Sequence, residues 1–376
     1  MAQVLVAMSG GVDSAVAAAL LVAAGHDVTG VHLKLADVAP EQQVPGHGCC
    51  TLDDAQDARR AAQVLGVPFY VWDGTDDFRR EVQDPFASDY AAGVTPNPCV
   101  TCNERVKYAA LLDRATALGF DALATGHHAR LRRDGRPVTA PGPRTRLHRA
   151  VDPRKDQSYV LYVATPDQLD RTLLPVGELT KAEVRARAAD AGLRVASKPD
   201  SYDVCFIPDG DTAGYLAGRL PRAPGPVVDL DGTELGEHAG VWHYTVGQRR
   251  GLGTAVGSHR RRFVVDVDAA SRTVVVGPRE ALACRWLEVD TPTWATADRP
   301  RPDDRVRVQI RAHAPSVAAT LAATDRGGWR VELDEPLHGV ALGQAAVLYD
   351  TSDEVCLGGG RIARAQRPAG FGGVPS

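Results

Sequence analysis

Apolar and polar positions in the first third of the chain follow two alternating periods. Short apolar runs typical of buried strands lie at 3–8, 27–35, 67–72 and 121–125. Segments with apolar residues at helical spacing lie at 13–24, 52–65 and 103–118. Because strands that alternate with helices are typical of parallel sheets, the predicted fold class is α/β, with a doubly wound, mostly parallel sheet.

The pattern changes in the second half of the chain. Thr180-Lys181-Ala182-Glu183 has the spacing of a capping box and predicts a helix that ends near Gly192, in a helical extension of the first domain. From about Pro221, turn residues separate short β-branched runs, which predicts one or two small β-rich modules. The segment after Arg364 is rich in Gly, Pro and Ala without periodicity and is predicted to be disordered.

Composition and charge exclude several classes of protein. The chain has 376 residues, 43 Lys+Arg against 47 Asp+Glu, and 7 Cys. Its longest apolar run, 15–24, is about half of what a bilayer span needs, and no basic segment precedes an apolar one near residue 1. We therefore expect a cytoplasmic protein without membrane contact. The low density of cysteines argues against a disulfide scaffold and favours catalytic, metal-binding or free thiols.

A glycine-rich segment, Ser9-Gly10-Gly11-Val12-Asp13-Ser14, lies between the first predicted strand and the first predicted helix. At such a position backbone N–H groups and the positive end of the helix dipole favour an anion, and glycines let it approach closely. A Walker A loop would end in Gly-Lys-Ser/Thr, and the lysine is missing here. The segment predicts a phosphate-binding loop of another type; the alternative is a glycine-rich turn that only begins a helix.

Three cysteines are candidates for chemistry. Cys99 and Cys102 precede the predicted helix at 103–118, and a thiol at a helix N-terminus ionises more readily to the reactive thiolate. Cys205 lies beyond the helix that ends near Gly192 and is expected to reach the same cleft. The Cys-x-x-Cys spacing alone also fits a redox pair, half of a zinc site or two thiols without function.

Four other cysteines provide a comparison. Cys284 and Cys356 lie in the β-rich region and are predicted to be packed apolar residues. Cys49 and Cys50 follow His47 in a predicted flexible loop, where metal binding is an alternative to no function.

The glycine-rich segment and the cysteines belong to a longer series of motifs. SGGVDS is similar to the pyrophosphatase loop of enzymes that adenylylate a substrate oxygen. The motifs are MSGGVDS at Met8–Ser14, TPNPCVTCN at Thr95–Asn103, ATGHHAR at Ala124–Arg130, KDQSYVLY at Lys155–Tyr162, PVGELTK at Pro175–Lys181, DVCFI at Asp203–Ile207, YTVGQRRGLG at Tyr244–Gly253 and CLGGGRI at Cys356–Ile362. The whole series resembles the tRNA-specific 2-thiouridylases, which convert the C2 carbonyl of the wobble uridine into a thiocarbonyl.

The resemblance implies a domain organisation and a set of functional residues. The implied domains are an ATP-pyrophosphatase catalytic domain with a helical extension at 1–218, a central small β-rich domain at 219–280, a C-terminal β-barrel domain at 281–364 and a disordered tail at 365–376. The implied ATP-binding residues are Ala7, Met8, Ser9, Gly10, Gly11, Val12, Asp13, Ser14, Leu33 (near the adenine) and Gly126. The implied contacts with the target base and the tRNA are Asn97, Pro98, Cys99, Lys155, Asp156, Gln157, Arg311 and Ala312. Ala312 stands where an aromatic residue is common.

The implied reaction uses ATP and Mg²⁺ to adenylylate the C2 oxygen, with Asp13 a candidate to help hold the metal. A sulfur-donor protein, either a cysteine desulfurase or a relay protein, would load Cys205 with a persulfide. Sulfur would reach C2 directly, or as hydrosulfide released when the nucleophile Cys102 attacks. Cys99 departs from well-known relatives, which carry Asp there. The three thiols leave open a [4Fe–4S] cluster held by Cys99, Cys102 and Cys205.

Two basic stretches predict contacts with RNA phosphates despite the net charge of -4. His128–Arg149 contains seven Arg and one Asp, and Tyr244–Arg262 contains five Arg, Arg249 and Arg250 among them, and no acidic residue. Solvated basic loops are the alternative. Two other functions also stay open: an ATP pyrophosphatase that transfers nitrogen, and a non-catalytic protein that binds tRNA or carries a cluster. His127 and His128 receive no role.

Overall fold

The computed structural model describes residues 1–35, 52–199, 204–207, 209–252 and 261–366. The loop around His47, Cys49 and Cys50, and residues 367–376 of the tail predicted at 365–376, lie outside these ranges; the first two tail residues are described, with Ala365 in a strand and the N–H of Gln366 donating to the carbonyl of Trp286 at 3.1 Å. No helix among the described residues is long and apolar enough to cross a membrane.

The strands of the first half are β1 (Gln3–Ala7), β2 (Asp27–Lys34), β3 (Phe69–Asp73), β4 (Ala122–Ala124), β5 (Arg130–Arg133), β6 (Arg136–Pro137), β7 (Arg146–His148) and β8 (Thr172–Leu173). Within the described ranges, five of them form a parallel sheet in the order β3-β2-β1-β4-β8. The strands β6, β5 and β7 form a small antiparallel sheet. The predicted parallel α/β fold is confirmed.

The α-helices are α1 (Val12–Ala23), α2 (Leu52–Leu65), α3 (Thr75–Phe78), α4 (Asp84–Ala91), α5 (Pro98–Thr101), α6 (Leu112–Ala117), α7 (Ser158–Leu161), α8 (Pro166–Asp170), α9 (Lys181–Asp190) and α10 (Thr212–Ala217). Two π-helical segments, Arg79–Gln83 and Cys102–Leu111, join α3 to α4 and α5 to α6. Short 3₁₀ turns cover Pro175–Glu178, Arg194–Ser197, Val241–His243 and Arg279–Leu282.

The helix predicted from Thr180 begins as its sequence indicates. The Thr180 hydroxyl accepts a hydrogen bond from the backbone N–H of Glu183, and the Glu183 carboxylate accepts one from the N–H of Thr180 at 2.8 Å. On α9, Val184 and Ala188 are fully buried in the same apolar cluster as Val16 of α1. The helix therefore lies against α1 in the core of the first domain, where it holds its N-terminal residue near the start of α1.

The second half consists of two β structures. The strands β9 (Gly225–Asp229), β10 (Glu234–His238), β11 (Phe263–Asp268) and β12 (Thr273–Gly277) form a sheet in the order β10-β9-β12-β11. The second structure contains β13 (Ala283–Val289), β14 (Thr293–Trp294), β15 (Arg305–Gln309), β16 (Val317–Ala323), β17 (Trp329–His338), β18 (Ala345–Tyr349) and β19 (Cys356–Ala365). It is closed into a barrel because β13 pairs with both β17 and β19. The prediction of β-rich domains after an α/β domain is confirmed.

The barrel and the first domain share one hydrophobic core. Tyr349 and Cys356 of the barrel are fully buried in one cluster with Leu5 of β1 and Leu123 of β4. The hydroxyl of Tyr159 donates a hydrogen bond of 2.9 Å to the carbonyl of Ala345, which adds a polar link. Cys284 is also buried, so the prediction that both barrel cysteines pack as apolar residues is confirmed.

Candidate functional site

The residues predicted to bind the nucleotide meet at one edge of the parallel sheet. Because β2, β1 and β4 are neighbours and parallel, their carboxyl ends lie side by side, the usual ligand position in such sheets. The segment Met8–Ser14 follows β1, Leu33 lies near the end of β2, and Gly126 follows β4. A Cβ atom added at Gly126 would lie 2.5 Å from the backbone N of Ser14. The structure therefore places Gly126 directly against the loop.

The loop conformation explains its glycine and serine residues. Gly10 has a φ of +82°, and a Cβ atom there would lie 2.3 Å from the carbonyl oxygen of Asp54. Only glycine fits this position, because a side chain would meet both a strained φ and the start of α2. Inside the loop the Ser14 hydroxyl accepts from the N–H of Ser9 and donates to the carbonyl of Gly11, both at 3.1 Å. Ser14 therefore holds the two ends of the loop together.

A lysine from a distant helix supplies positive charge to the loop. The Lys181 ammonium, at the start of α9, donates to both carboxylate oxygens of Asp13, at 2.7 and 2.8 Å. His128 Nε2 donates to the same carboxylate at 3.0 Å. Burial acts to raise the pKa of Asp13, but the hydrogen bond from His128 and the charge of Lys181 outweigh it and lower that pKa. Asp13 is therefore an ionised carboxylate tied to a cation.

A second distant lysine reaches the other side of the loop. The Lys198 ammonium donates to the carbonyl of Gly10 at 3.1 Å and to the carboxylates of Asp54 and Asp57 at 2.8 Å each. Burial disfavours this charge, but the two aspartates outweigh it and raise the pKa of Lys198. Sequence reasoning missed both lysines, because they lie 168 and 188 residues from their loop partners. For Lys181 the sequence does contain a local indication of its position, because it directly follows the capping residue Thr180 and so begins the predicted helix.

A third lysine approaches the same edge from the helix that carries Cys102. Lys107 Nζ lies 3.2 Å from His127 Nε2, and His127 Nδ1 lies 2.6 Å from the Thr125 hydroxyl. An ammonium can only donate, so Nε2 accepts and the proton of the neutral ring is on Nδ1. Burial, then the charges of Lys107 and His128, hold the pKa of His127 well below its ordinary value. His127 is therefore a neutral acceptor, not an acid.

Cys102 and Cys205 come together in one apolar cluster. Cys102 is the first residue of the π-helical segment and is buried, and Cys205 is half-buried. Cys102 belongs to the buried cluster that contains Phe86 and Phe206, and Cys205 and Leu33 pack against that cluster. The two thiols predicted to transfer sulfur therefore meet the same cluster as the residue predicted to contact the adenine.

The described residues do not fit a preformed metal site. No group of three or more His, Cys, Asp or Glu side chains in the described ranges is placed to hold a metal ion. Cys99, Cys102 and Cys205 form no such group among the described residues. Asp13 is no part of a metal-binding set either, and its carboxylate binds Lys181. A Mg²⁺ ion that arrives with ATP would be held mainly through phosphates, as is usual for this ion.

The residues predicted to face the target base lie where the domains meet. Asn97 caps α5 by accepting a hydrogen bond from the N–H of Val100 at 3.3 Å, and Pro98 and Cys99 form the first turn. Just before them, the N–H of Thr95 donates to the carbonyl of Leu342 in the barrel at 2.9 Å. The barrel thereby fixes the segment that leads to Cys102.

Asp156 and Gln157 use their side chains within the protein. The Asp156 carboxylate accepts from Arg149 at 2.9 Å, from the N–H of Ala150 at 3.0 Å and from the Ser158 hydroxyl at 2.9 Å. Gln157 accepts from the N–H of His128 at 2.8 Å. Of the predicted triplet, Lys155 is half-buried, and Asp156 and Gln157 shape the turn beside the phosphate loop.

The arginines of the first basic stretch are largely engaged within the protein. Their acceptors are Glu354 for Arg130, Glu178 for Arg132, the Gly142 carbonyl for Arg133, Asp298 for Arg146, and Asp156 and Asp353 for Arg149. These five arginines are bound within the protein, where they anchor the barrel and the β5–β7 sheet, and their contact with RNA phosphates stays a prediction. Arg136 and Arg144 are exposed.

In the second basic stretch, Arg249 and Arg250 are exposed. Arg311 donates to the carbonyl of Gly339 at 2.6 Å and lies next to Gly247, which precedes these two arginines closely in the chain. Ala312 packs against the shared core. The structure therefore brings Arg311 to the turn that leads to Arg249.

Comparisons with known proteins cover nearly the whole chain. A family model described as the tRNA methyl transferase HUP domain matches residues 2–209, the tRNA methyl transferase PRC-barrel domain matches 213–278, and the aminomethyltransferase beta-barrel domain matches 284–362. A Salinispora tropica protein named tRNA-specific 2-thiouridylase MnmA is 53% identical over 366 residues, 96% of this chain and 99% of the relative. A Thermobifida fusca protein of the same name is 51% identical over 365 residues, 97% of this chain and 96% of the relative.

The chain also shows distant similarity to solved structures. A 4-thiouridine synthetase in complex with RNA and bound ATP is 17% identical, with 55% of this chain and 45% of that chain covered and a TM-score of 0.36. That similarity is too low to support any inference about the site.

Proposed function

Because the chain belongs to the family of tRNA-specific 2-thiouridylases, we propose that it replaces the C2 oxygen of the wobble uridine of tRNA with sulfur, at the expense of ATP. The observation that carries the proposal is the contact between the two halves of the site. Leu33, at the sheet edge that holds the phosphate loop, packs against the apolar cluster that contains Cys102 and Cys205. An adenylylated base and a sulfur-bearing thiol would therefore lie side by side.

The first step is activation of a poor leaving group. The C2 oxygen of the uridine attacks the α-phosphorus of ATP, the bond to the β-phosphate oxygen breaks, and pyrophosphate leaves. The loop Ser9–Ser14 binds the phosphates through its backbone N–H groups at the start of α1. Lys181, through Asp13, and Lys198, through the carbonyl of Gly10, hold the loop from both sides, so that its N–H groups are already oriented toward the departing pyrophosphate. Mg²⁺ bound with ATP would neutralise phosphate charge.

The second step is transfer of sulfur. A cysteine desulfurase or a relay protein loads Cys205 with a terminal sulfur, as a persulfide. That sulfur attacks C2 and displaces AMP, and the Cys102 thiolate then attacks the Cys205 sulfur, so that the S–S bond to the product breaks. If Cys102 attacks first, hydrosulfide leaves and attacks C2 itself. Either order ends with a Cys102–Cys205 disulfide, which an external thiol must reduce by two electrons.

The experiment measures thiolation, pyrophosphate release and ATP binding for the wild type and for Cys102→Ser, Cys205→Ser and Cys99→Ala. Unmodified tRNA, ATP and a cysteine desulfurase with cysteine are the reactants, and 2-thiouridine is quantified by mass spectrometry. We expect the two serine variants to lose thiolation by about a thousandfold or more, with ATP affinity retained. The Cys99→Ala variant removes the third thiol and should still thiolate tRNA, because neither order of sulfur transfer uses Cys99.

Two results would contradict the proposal. Thiolation by either serine variant would exclude the persulfide–disulfide route. A stoichiometric iron–sulfur cluster in anaerobically purified protein, lost together with activity in Cys99→Ala, would establish the cluster route instead. A transcript with cytidine at the wobble position serves as a substrate control and should remain unmodified.

A further inference from the structure

Lys107 differs from the other two lysines at the nucleotide edge in its lack of a carboxylate partner. Lys181 binds Asp13, and Lys198 binds Asp54 and Asp57. Within the described residues, the half-buried ammonium of Lys107 has one hydrogen-bond partner, the neutral ring of His127 at 3.2 Å. No described carboxylate therefore neutralises its charge, whereas lysines that lose contact with solvent are usually paired.

The position of Lys107 is fixed from two sides. His127 follows Gly126, which lies against Ser14 of the phosphate loop. On the other side, Lys107 belongs to the π-helical segment that begins at Cys102. In an α-helix, residues five apart differ by about 140° around the axis, whereas the i→i+5 pairing of a π-helix brings them close to one face. The π-helical turn thus directs Lys107 and Cys102 to the same cleft.

The role of His127 explains how the cation is held. Its Nδ1–H is committed to Thr125 Oγ1 at 2.6 Å, which leaves Nε2 as a fixed acceptor. An ammonium has three N–H donors, so two remain for a ligand after the bond to His127. A neutral imidazole orients the lysine without cancelling its charge. An aspartate at this place would bind the lysine equally well but would repel a phosphate.

We propose that Lys107 is a catalytic residue that binds the non-bridging oxygens of the α-phosphoryl group of ATP, between the phosphate loop and Cys102. This rests on the proposed function. When the uridine C2 oxygen attacks, the α-phosphorus gains a bond to that oxygen and loses its bond to pyrophosphate. Negative charge on the phosphoryl oxygens then faces the Lys107 ammonium. The same contact stabilises AMP when sulfur displaces it from C2.

The experiment uses three variants of the full-length protein. Lys107→Gln keeps an N–H donor for His127 but removes the charge, and Lys107→Arg keeps the charge. Arg105→Gln is the matched control, because Arg105 lies on the same helix, is 58% exposed and pairs weakly with Glu104 at 3.5 Å. The readouts are the single-turnover rate of pyrophosphate release with saturating tRNA and no sulfur donor, the ATP and tRNA dissociation constants, and the melting temperature.

We expect Lys107→Gln to slow pyrophosphate release at saturating ATP by about 100-fold or more, the usual cost of losing one transition-state contact, with a smaller loss of ATP affinity of about tenfold or less. Lys107→Arg should recover most of the rate, and Arg105→Gln should match the wild type. If Lys107 had only a structural role, Lys107→Gln would keep the rate of pyrophosphate release, because glutamine can also donate a hydrogen bond to His127.

Three results would overturn the assignment. The first is a wild-type rate in Lys107→Gln. The second is a loss confined to tRNA affinity and its salt dependence, which would assign Lys107 to an RNA phosphate. The third is that the wild type itself releases no pyrophosphate with tRNA. That result would contradict the proposed function as well, whereas the first two contradict only the role of Lys107.

Discussion

Gly126→Ala tests the geometry of the phosphate loop with a single methyl group. The new Cβ would lie 2.5 Å from the N of Ser14, 2.6 Å from the carbonyl C of Asp13 and 2.8 Å from the Cα of Ser14. All three are backbone atoms of the first turn of α1, so no side chain can rotate away. The φ of Gly126 lies outside the left-handed region, and alanine therefore adds no dihedral strain.

The size of the effect follows from these distances. Ordinary contact begins near 3.4 Å, so the start of α1 must move by about 1 Å relative to β4. Overpacking of this kind costs about 1–3 kcal/mol in the free energy of unfolding. Because the same turn presents N–H groups to the phosphates, a shift of about 1 Å should also slow pyrophosphate release by about 100-fold. Urea denaturation followed by circular dichroism measures the first effect, and rapid-quench pyrophosphate release measures the second.

Gly11→Ala is the stability control in the same loop. A Cβ atom at Gly11 meets only the Ser9 hydroxyl at 3.5 Å, an ordinary contact, and the φ of -92° suits alanine. Its free energy of unfolding should stay unchanged or rise by up to about 1 kcal/mol. The reasoning would be refuted if Gly126→Ala unfolded at the same urea concentration as Gly11→Ala and released pyrophosphate at the wild-type rate.

Two further predictions concern charge. Arg249→Ala and Arg250→Ala should each weaken tRNA binding and reduce by about one the slope of log affinity against log salt concentration, measured by filter binding. Arg132→Ala is the control: its guanidinium binds Glu178, so the slope should stay unchanged. Asp13 has a lowered pKa in the folded protein, so its contribution to stability is present above about pH 4 and is lost as the pH falls through that lowered pKa. In Asp13→Asn, the melting temperature should therefore fall less steeply than in the wild type as the pH is lowered. An unchanged pH dependence would contradict the lowered pKa of Asp13 in the folded protein.

The arrangement of the sheet and the loop is predictable from the sequence because each signal is local. The apolar run at 3–8 and the helical segment at 13–24 correspond to β1 and α1, and the capping box at Thr180 opens α9. The carboxyl edge of a parallel sheet then follows from topology alone. The position of the phosphate loop at this edge therefore follows from the sequence pattern, whereas Leu33 and Gly126 follow from the resemblance to the 2-thiouridylases.

The charge pattern is not predictable in the same way, because its partners are distant in sequence. The sequence shows Arg146 and Arg149 in a basic stretch but does not show their acceptors, Asp298 and Asp353, which come from the barrel. Nothing in the sequence near Lys198 indicates that its ammonium donates to the carbonyl of Gly10. The π-helical turn after Cys102 is equally hidden, since its apolar spacing fits an ordinary helix.

The core shared by the barrel and the first domain has a consequence for the dimensions of the RNA that the protein would accept. Tyr349 and Cys356 are packed against the strands that end at the phosphate loop, so the span from Arg311 to that loop is set by interlocked side chains instead of a linker. Under the proposed function, a bound RNA would have to fit this distance. A stem that is one base pair too long or too short would then present its base at the wrong depth.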